Sequence, residues 1–345
     1  MSALVTVVVP TLQAGPQLVR CLEALRAQSL AGCEIVVVDN SGSGAADAVE
    51  AGDVQLIRNP RNVGFGEAVN QAGQASDAAF IAVLNDDSYP HADWLSSLVK
   101  ACEARPDVGM CASQIRLSTQ PDHLDSAGLA IYGDGTTKQR GHGQAADGFS
   151  DEEEVLLPSG CAALYRRSML DEVRLGEVGL DEVGWFDKDY FLYGEDADLG
   201  LRARLAGWTC LYVPGAVVEH DYSRSAGRAS RLKAYYVERN RLYTVLKLFP
   251  ASRLPMVPFY SSWRYLCHLW SVISGRGLAS DFQRDGESWW RLVIIVVSAH
   301  ASAFKSLPDL LKKRRLIRRQ RKLTGGEFRC LCRRYWASAT EVALQ

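Results

Sequence analysis

The chain of 345 residues predicts an α/β protein: a mixed, mostly parallel sheet flanked by helices, followed by a helical C-terminal extension. Three observations predict it. Strands that are apolar throughout alternate with amphipathic helices, as in a parallel sheet covered on both faces. Acidic and amide residues stand just past the strand ends, where such sheets bind their ligands. The charge also divides. Residues 1–230 carry 17 Lys and Arg against 33 Asp and Glu, whereas residues 231–345 carry 22 against 7, so a net charge of −1 conceals an acidic body and a basic end. Two domains are therefore expected, 1–230 and 231–345, the second meeting something anionic such as a membrane surface.

Composition narrows the class. An apolar fraction of 47% and a charged fraction of 23% are those of a globular protein, which excludes disorder of the whole chain. The nine cysteines lie mostly inside apolar runs, without paired metal-ligand spacing. Cys330 and Cys332 are one residue apart, too close for the usual zinc half-site. An odd number of cysteines and an N-terminus without the basic start of a secretory leader point to a reducing cytoplasm.

The elements follow in order. Residues 5–9 and 35–38 read as buried strands around a helix over 16–30, with Leu18, Leu22 and Leu25 on one face. Thr11 stands after the first strand. Asp39 stands after the second, well placed for a ribose or base. The following Gly42-Ser43-Gly44 lacks the third glycine of a dinucleotide fingerprint, Asp47 standing in its place, which excludes a dehydrogenase. A third strand, 54–58, leads to Asn62, Gly64 and Gly66, whose glycines let a ligand approach the backbone ahead of a helix over 67–74. A fourth strand, 80–84, ends in Asn85-Asp86-Asp87-Ser88. Those carboxylates suit magnesium or manganese, which bind through one or two carboxylates plus substrate phosphates, and equally suit the cap of the helix over 93–102.

Residues 108–112 continue the sheet. A polar, glycine-rich excursion over 114–154 follows, of the size of a lid or recognition segment; its His123 and His142 have no partner spacing and read as exposed. Ser159-Gly160-Cys161 turns into another strand. Between 184 and 208 the rings of Trp185, Phe186, Tyr190, Phe191 and Tyr193 suit a wall for a flat ligand. Glu195, Asp196 and Asp198 then open a helix. Asp198 and Arg202, four apart, can pair along its surface, leaving Glu195 and Asp196 without a local cation. From the residues alone, either acid is a candidate base or simply a favourable helix start. His220 ends a strand over 217–220, and Ser223, Arg224 and Ser225 suit phosphate or an acceptor.

Taken together, residues 4–243 resemble glycosyltransferase family 2 in its rhamnosyltransferase-like branch. The resemblance implies a GT-A nucleotide-sugar fold, with Asp196 as the base that deprotonates the acceptor hydroxyl and Glu195 beside it. It assigns Thr11, Asp39, Asn62, Gly64, Asn85 and Asp86 to the donor, Asp39 to base or ribose, and Gly160, Trp185 and Tyr193 to the acceptor side. Asn85 departs from the first acid of the family's Asp-any-Asp triplet, so Asp87 becomes the metal ligand and His220 completes the site for Mg or Mn. The branch implies dTDP-rhamnose as donor and a lipid-linked or polysaccharide acceptor; a UDP-sugar donor, or a non-catalytic sugar-nucleotide scaffold, are the alternatives.

The C-terminal third rests on physics alone. The longest uncharged apolar run, 292–304, is too short to span a bilayer, which needs about 20 residues. Trp289, Trp290 and the rings over 259–270 favour an interface, and residues 312–322 hold eight basic residues in eleven. This set predicts peripheral attachment to the inner face of the cell membrane. No stacking-and-glycine RNA motif accompanies the basic run, so nucleic acid is not expected as a partner.

Overall fold

Strand β1 (Val5–Thr11) forms the middle of the parallel half of the sheet, between β2 (Cys33–Asp39) and β4 (Phe80–Leu84), with β3 (Val54–Arg58) beyond β2. The computed structural model describes residues 3–49, 52–176, 184–221, 230–275 and 289–344. Helices α1 (Pro16–Arg26), α2 (Phe65–Gln74) and α3 (Trp94–Ala104) cover the sheet. β1, β2 and β4 are mostly apolar because both faces are buried, Val7, Val9 and Val37 on one and Val8, Val36 and Ile81 on the other, whereas the edge strand β3 carries Gln55 and Arg58.

Beyond β4 the direction changes. β11 (Ala162–Arg166) runs antiparallel to both β4 and β6 (Val108–Leu117), and β12 (Thr209–His220) returns parallel to β6. β10 (Glu153–Val155) closes that edge, while β5 (Ser88–Pro90) pairs with β12 and β7 (Gln120–Ser126) with β6. The sequence reads residues 210–213 and 217–220 as two strands, since Pro214-Gly215 is a turn signal. They form one strand, because the register shift between Val213 and Val217 absorbs the extra residues as a bulge. The excursion after residue 114 carries real structure, with β7 and a hairpin of β8 (Leu129–Ile131) and β9 (Thr137–Gln139).

Helices α4 (Arg167–Val173) and α5 (Glu195–Leu205) share one core cluster, through Met169, Leu170, Leu199 and Ala203. The basic third contributes α6 (Arg231–Leu248), α7 (Val257–Ile273), α8 (Trp289–Lys305), α9 (Leu307–Gln320), α10 (Gly325–Arg334) and α11 (Ala339–Leu344). Val245, Leu248, Ile317 and Phe328 from these helices share one apolar cluster with Leu129, Leu157, Ala197 and Leu201. Charges reinforce it. Lys247 is fully buried between Asp187 and Asp198, at 2.6 Å from the latter. Asp198 and Arg202 do pair, at 2.9 Å, but in the interior rather than on the helix surface, since Arg202 also donates to the carbonyls of Val173 and Trp185. Part of the basic run is likewise turned inward: Lys313 reaches Asp187 and Asp189, both at 2.6 Å, and Arg314 donates to the Leu246 carbonyl. Among the described residues no single helix is long and apolar enough to cross a membrane.

Candidate active site

The carboxyl ends of β1, β2 and β4 meet along one edge of the sheet. The Thr11 hydroxyl donates to Asp86 Oδ2 at 2.6 Å. Burial, helped by the neighbouring charge of Asp87, pushes Asp86 up to about 6 in spite of that bond. Asp39 turns inward. It is 1% exposed, and its two oxygens accept the N–H groups of Ser41 and Ala46 at 2.8 and 3.0 Å. Burial opposes its charge, but those N–H groups and Arg58 hold its pKa below the usual value. The carboxylate expected at the base or ribose therefore shapes the 40–46 loop.

The next loop is built for contact. Asn62 Oδ1 accepts the Gly64 N–H at 2.8 Å in an Asx turn. Gly64 has φ +89°, and a Cβ there would lie 2.4 Å from the Phe191 carbonyl oxygen, so only glycine fits. Asn70 of α2 clips the chain at Phe186: its amide accepts from Phe186 N and donates to Phe186 O, both at 2.9 Å.

Asp87 and His220 converge. Nε2 of His220 lies 3.3 Å from Asp87 Oδ1, and each residue is 8% exposed. Burial disfavours charge on His220, but Cys161, Asp125 and Asp87 outweigh it and lift its pKa well above the ordinary imidazole value. A carboxylate oxygen and an imidazole nitrogen facing one another suit a divalent cation. Among the described residues no group of three or more His, Cys, Asp or Glu is placed to hold a metal ion. Asn85 lies partly exposed beside this pair, its N–H donating to the Cys161 carbonyl at 2.9 Å.

The second half of the site is Asp196. Its Oδ2 accepts the Gly160 N–H at 2.9 Å and its Oδ1 the Ala197 N–H at 2.7 Å. Burial raises its pKa. Glu195 beside it is more deeply enclosed; burial, then the charge of Asp196, pushes it up to about 8, and its Oε2 has no hydrogen-bond partner. Burial thus holds both carboxyls toward their protonated forms, Glu195 the more strongly.

One acceptor-side expectation is corrected by the structure. Trp185 is in the core, 7% exposed; its indole N–H donates to Asp171 at 2.9 Å, and its ring lies where a Cβ on Gly73 would stand 1.9 Å away. Phe186 and Tyr190 are core residues as well, so of the five rings expected to form a wall only Phe191 and Tyr193 are partly open. Tyr193 remains partly open, at φ +67°, in a loop where Phe191 and Gly194 are also left-handed. Asn240 of α6 holds that loop: its amide nitrogen donates to the carbonyls of Tyr190, Leu192 and Tyr193 at 2.9, 2.8 and 2.6 Å. Ser223, Arg224 and Ser225 lie outside the described residues.

Three partners of the site escape sequence reasoning. Asp125 binds His220 and also His142, which is half-buried rather than exposed; Cys161 sits against Ser88 at 3.2 Å. None carries a local signal, since 95 residues separate Asp125 from His220.

The profile described as Glycosyltransferase like family 2 matches residues 2–244. The N-acetylglucosaminyl-diphospho-decaprenol L-rhamnosyltransferase of Mycobacterium tuberculosis (strain CDC 1551 / Oshkosh) is 30% identical over 267 residues, spanning 68% of this chain and 82% of that protein. Among solved structures, the mannosyltransferase PcManGT from Pyrobaculum calidifontis, in complex with GDP-Man and Mn2+, superposes with a TM-score of 0.53 at 18% identity, over 93% of this chain and 86% of that one. GalNAc-T7 with UDP, GalNAc and Mn2+ gives 0.52 at 15% identity, over 71% of this chain and 51% of that one. The mixed sheet with its acidic strand ends is thus the GT-A fold, and the chain belongs to glycosyltransferase family 2 and is a glycosyltransferase.

Proposed function

We propose that the chain is an inverting, metal-dependent transferase that moves rhamnose from dTDP-rhamnose to a hydroxyl of a lipid-linked or polysaccharide acceptor. One observation carries the catalytic part: Gly160 and Cys161, adjacent in the chain, touch the two halves of the site. Gly160 holds Asp196, and Cys161 adjoins Ser88 and His220. A base and a cation site are thereby brought to either end of one dipeptide.

Asp87 Oδ1 and His220 Nε2 would hold Mg or Mn. When bound, the ion neutralises charge on the departing nucleoside diphosphate. Asp196 takes the proton of the acceptor hydroxyl, and its raised pKa strengthens it as a base near neutral pH. The acceptor oxygen then bonds to the anomeric carbon as the bond to the diphosphate breaks, the electron pair leaving with the nucleotide. One in-line displacement inverts the configuration.

The relative that acts on a decaprenol-linked sugar favours the lipid-linked acceptor and the rhamnose donor. A UDP-sugar is the second reading, favoured by the neighbour that holds UDP in the same fold. Attachment to the inner face of the membrane is supported by Phe259, Trp263, Leu266, Trp270 and Ile273, exposed apolar residues recurring every three or four positions along α7. Exposed Lys312, Arg315, Arg318 and Arg319 on α9 add charge for anionic lipid.

Thermal stabilisation by a panel of sugar nucleotides, each with and without Mn2+, tests the reading, because a ligand of the folded state alone must raise stability. A Mn2+-dependent shift with dTDP-rhamnose alone is expected; a shift confined to UDP-sugars replaces the donor, and no shift with any removes the metal-dependent transfer. Flotation with liposomes containing phosphatidylglycerol tests attachment, and failure to float counts against it.

A further inference from the structure

Asp125 lies in the middle of the excursion, two strands away from the end of β12. Its placement has a backbone cause. Ile115 faces Ser126 and Arg116 faces Leu124, which leaves Asp125 as the extra residue of a bulge between β6 and β7. A bulge re-aims the side chain it carries. Here the carboxylate is directed at His220 and buried, 2% exposed. Its Oδ2 lies 2.7 Å from His220 Nδ1, and its Oδ1 lies 3.1 Å from His142 Nδ1. An ionised carboxylate accepts and does not donate, so Nδ1 carries the proton in both rings. The other nitrogen of His220, Nε2, is the one that meets Asp87. His142 supplies the second oxygen with its partner, from a turn whose Gly141 and Gly143 adopt φ +76° and +72°.

We propose that Asp125 is a positioning residue of the metal site: it holds the proton on Nδ1 of His220 and so presents Nε2 to the ion shared with Asp87. The inference rests on the metal reading above. Histidine ligands characteristically donate their second ring N–H to a carboxylate, which fixes tautomer and orientation. The bulge gives the excursion that office, and His142 keeps the carboxylate aligned while doing so. The excursion is thereby joined to the cation site through one buried side chain.

Mn2+ binding, followed by the EPR signal of the free ion with dTDP or UDP present, is the test. Asp125→Asn, whose amide oxygen can still accept from Nδ1 but lacks the charge that fixes the proton there, is expected to weaken Mn2+ binding about 10–100-fold while metal-free nucleotide binding is kept. Asp125→Glu, which restores the carboxylate, should recover part of that loss. Wild-type Mn2+ affinity in a folded Asp125→Asn protein overturns the inference and leaves the metal site standing. No Mn2+ binding by the unaltered protein overturns both. Should Asp125→Asn fail to fold, 15N NMR of His220 in the unaltered protein with Mg2+ and nucleotide decides: a proton on Nδ1 supports the assignment, and a proton on Nε2 refutes it.

Discussion

The Gly160 N–H donates to Asp196 Oδ2 at 2.9 Å, and a Cβ on Gly160 would come within 3.3 Å of the Asp196 Cβ and 3.4 Å of that same oxygen. A side chain at 160 is thus tight by proximity alone, the backbone φ lying outside the positive-φ region. Gly160→Ala makes the carboxylate give way by a few tenths of an ångström. Since misplacement of a reacting group by about 1 Å can cost about 10²-fold, kcat should fall roughly tenfold with donor KM unchanged. Steady-state kinetics with the donor varied checks it; a rise in donor KM at constant kcat contradicts the placement.

Asp196→Asn keeps the shape and the Gly160 contact but removes the proton acceptor. Turnover should fall by about 10²–10⁴ while stabilisation by the nucleotide is retained. If the variant instead loses nucleotide binding, Asp196 belongs to the donor site and the base must be sought elsewhere. Asp87→Ala provides the complement. It should abolish the Mn2+ dependence of nucleotide stabilisation, and an unchanged Mn2+ response refutes the ligand assignment.

How much of this was legible in the sequence depends on distance along the chain. The apolar strands 5–9, 35–38 and 80–84 announce the parallel half because burial on both faces writes itself into consecutive residues. Asp86 and Asp87 were legible for the same reason, standing where a strand ends. Trp185 was misplaced because an aromatic looks alike on a wall and in a core; what buries it is Gly73, more than a hundred residues earlier. Asp198 and Arg202 were paired correctly by spacing, but spacing says nothing of Lys247, which draws them inside. Asp125 was illegible because a bulge, a property of two strands, aims it.

The same distance argument gives Asn240 its weight. One side-chain amide from the basic third, with two N–H groups, lies within hydrogen-bond reach of three carbonyls of a loop in which Phe191 and Tyr193 hold positive φ. Left-handed non-glycine residues persist only where their surroundings over-determine them. Asn240→Ala removes this donor from the half-buried Leu192 and Tyr193 carbonyls, the Tyr190 carbonyl keeping Arg239, and should cost about 1–3 kcal/mol in stability, read by chemical denaturation. Because the loop leads directly into Glu195 and Asp196, kcat should fall as well. A variant of normal stability and activity means that the loop is held by its neighbours alone.

Glu195 makes stability depend on pH, and the sign follows from the direction of its shift. Burial lifts its pKa from the ordinary 4.5 to about 8 in the folded chain. Between those values the folded state holds a proton that the unfolded state has lost, so stability falls as pH rises. The contribution of the neutral carboxyl is complete below the unfolded value and is gone once pH has passed the folded one. Glu195→Gln stays neutral throughout, and its orphaned position, Oε2 being without a partner, is no worse off for the amide oxygen. Denaturation curves from pH 5 to 9 should therefore diverge: near-equal stability at the acid end, with the variant gaining steadily on the unaltered protein toward the alkaline end. Parallel curves across that range would mean that Glu195 is ionised in the fold, and Asp196 would then have to carry the shared proton, removing it as the base at neutral pH.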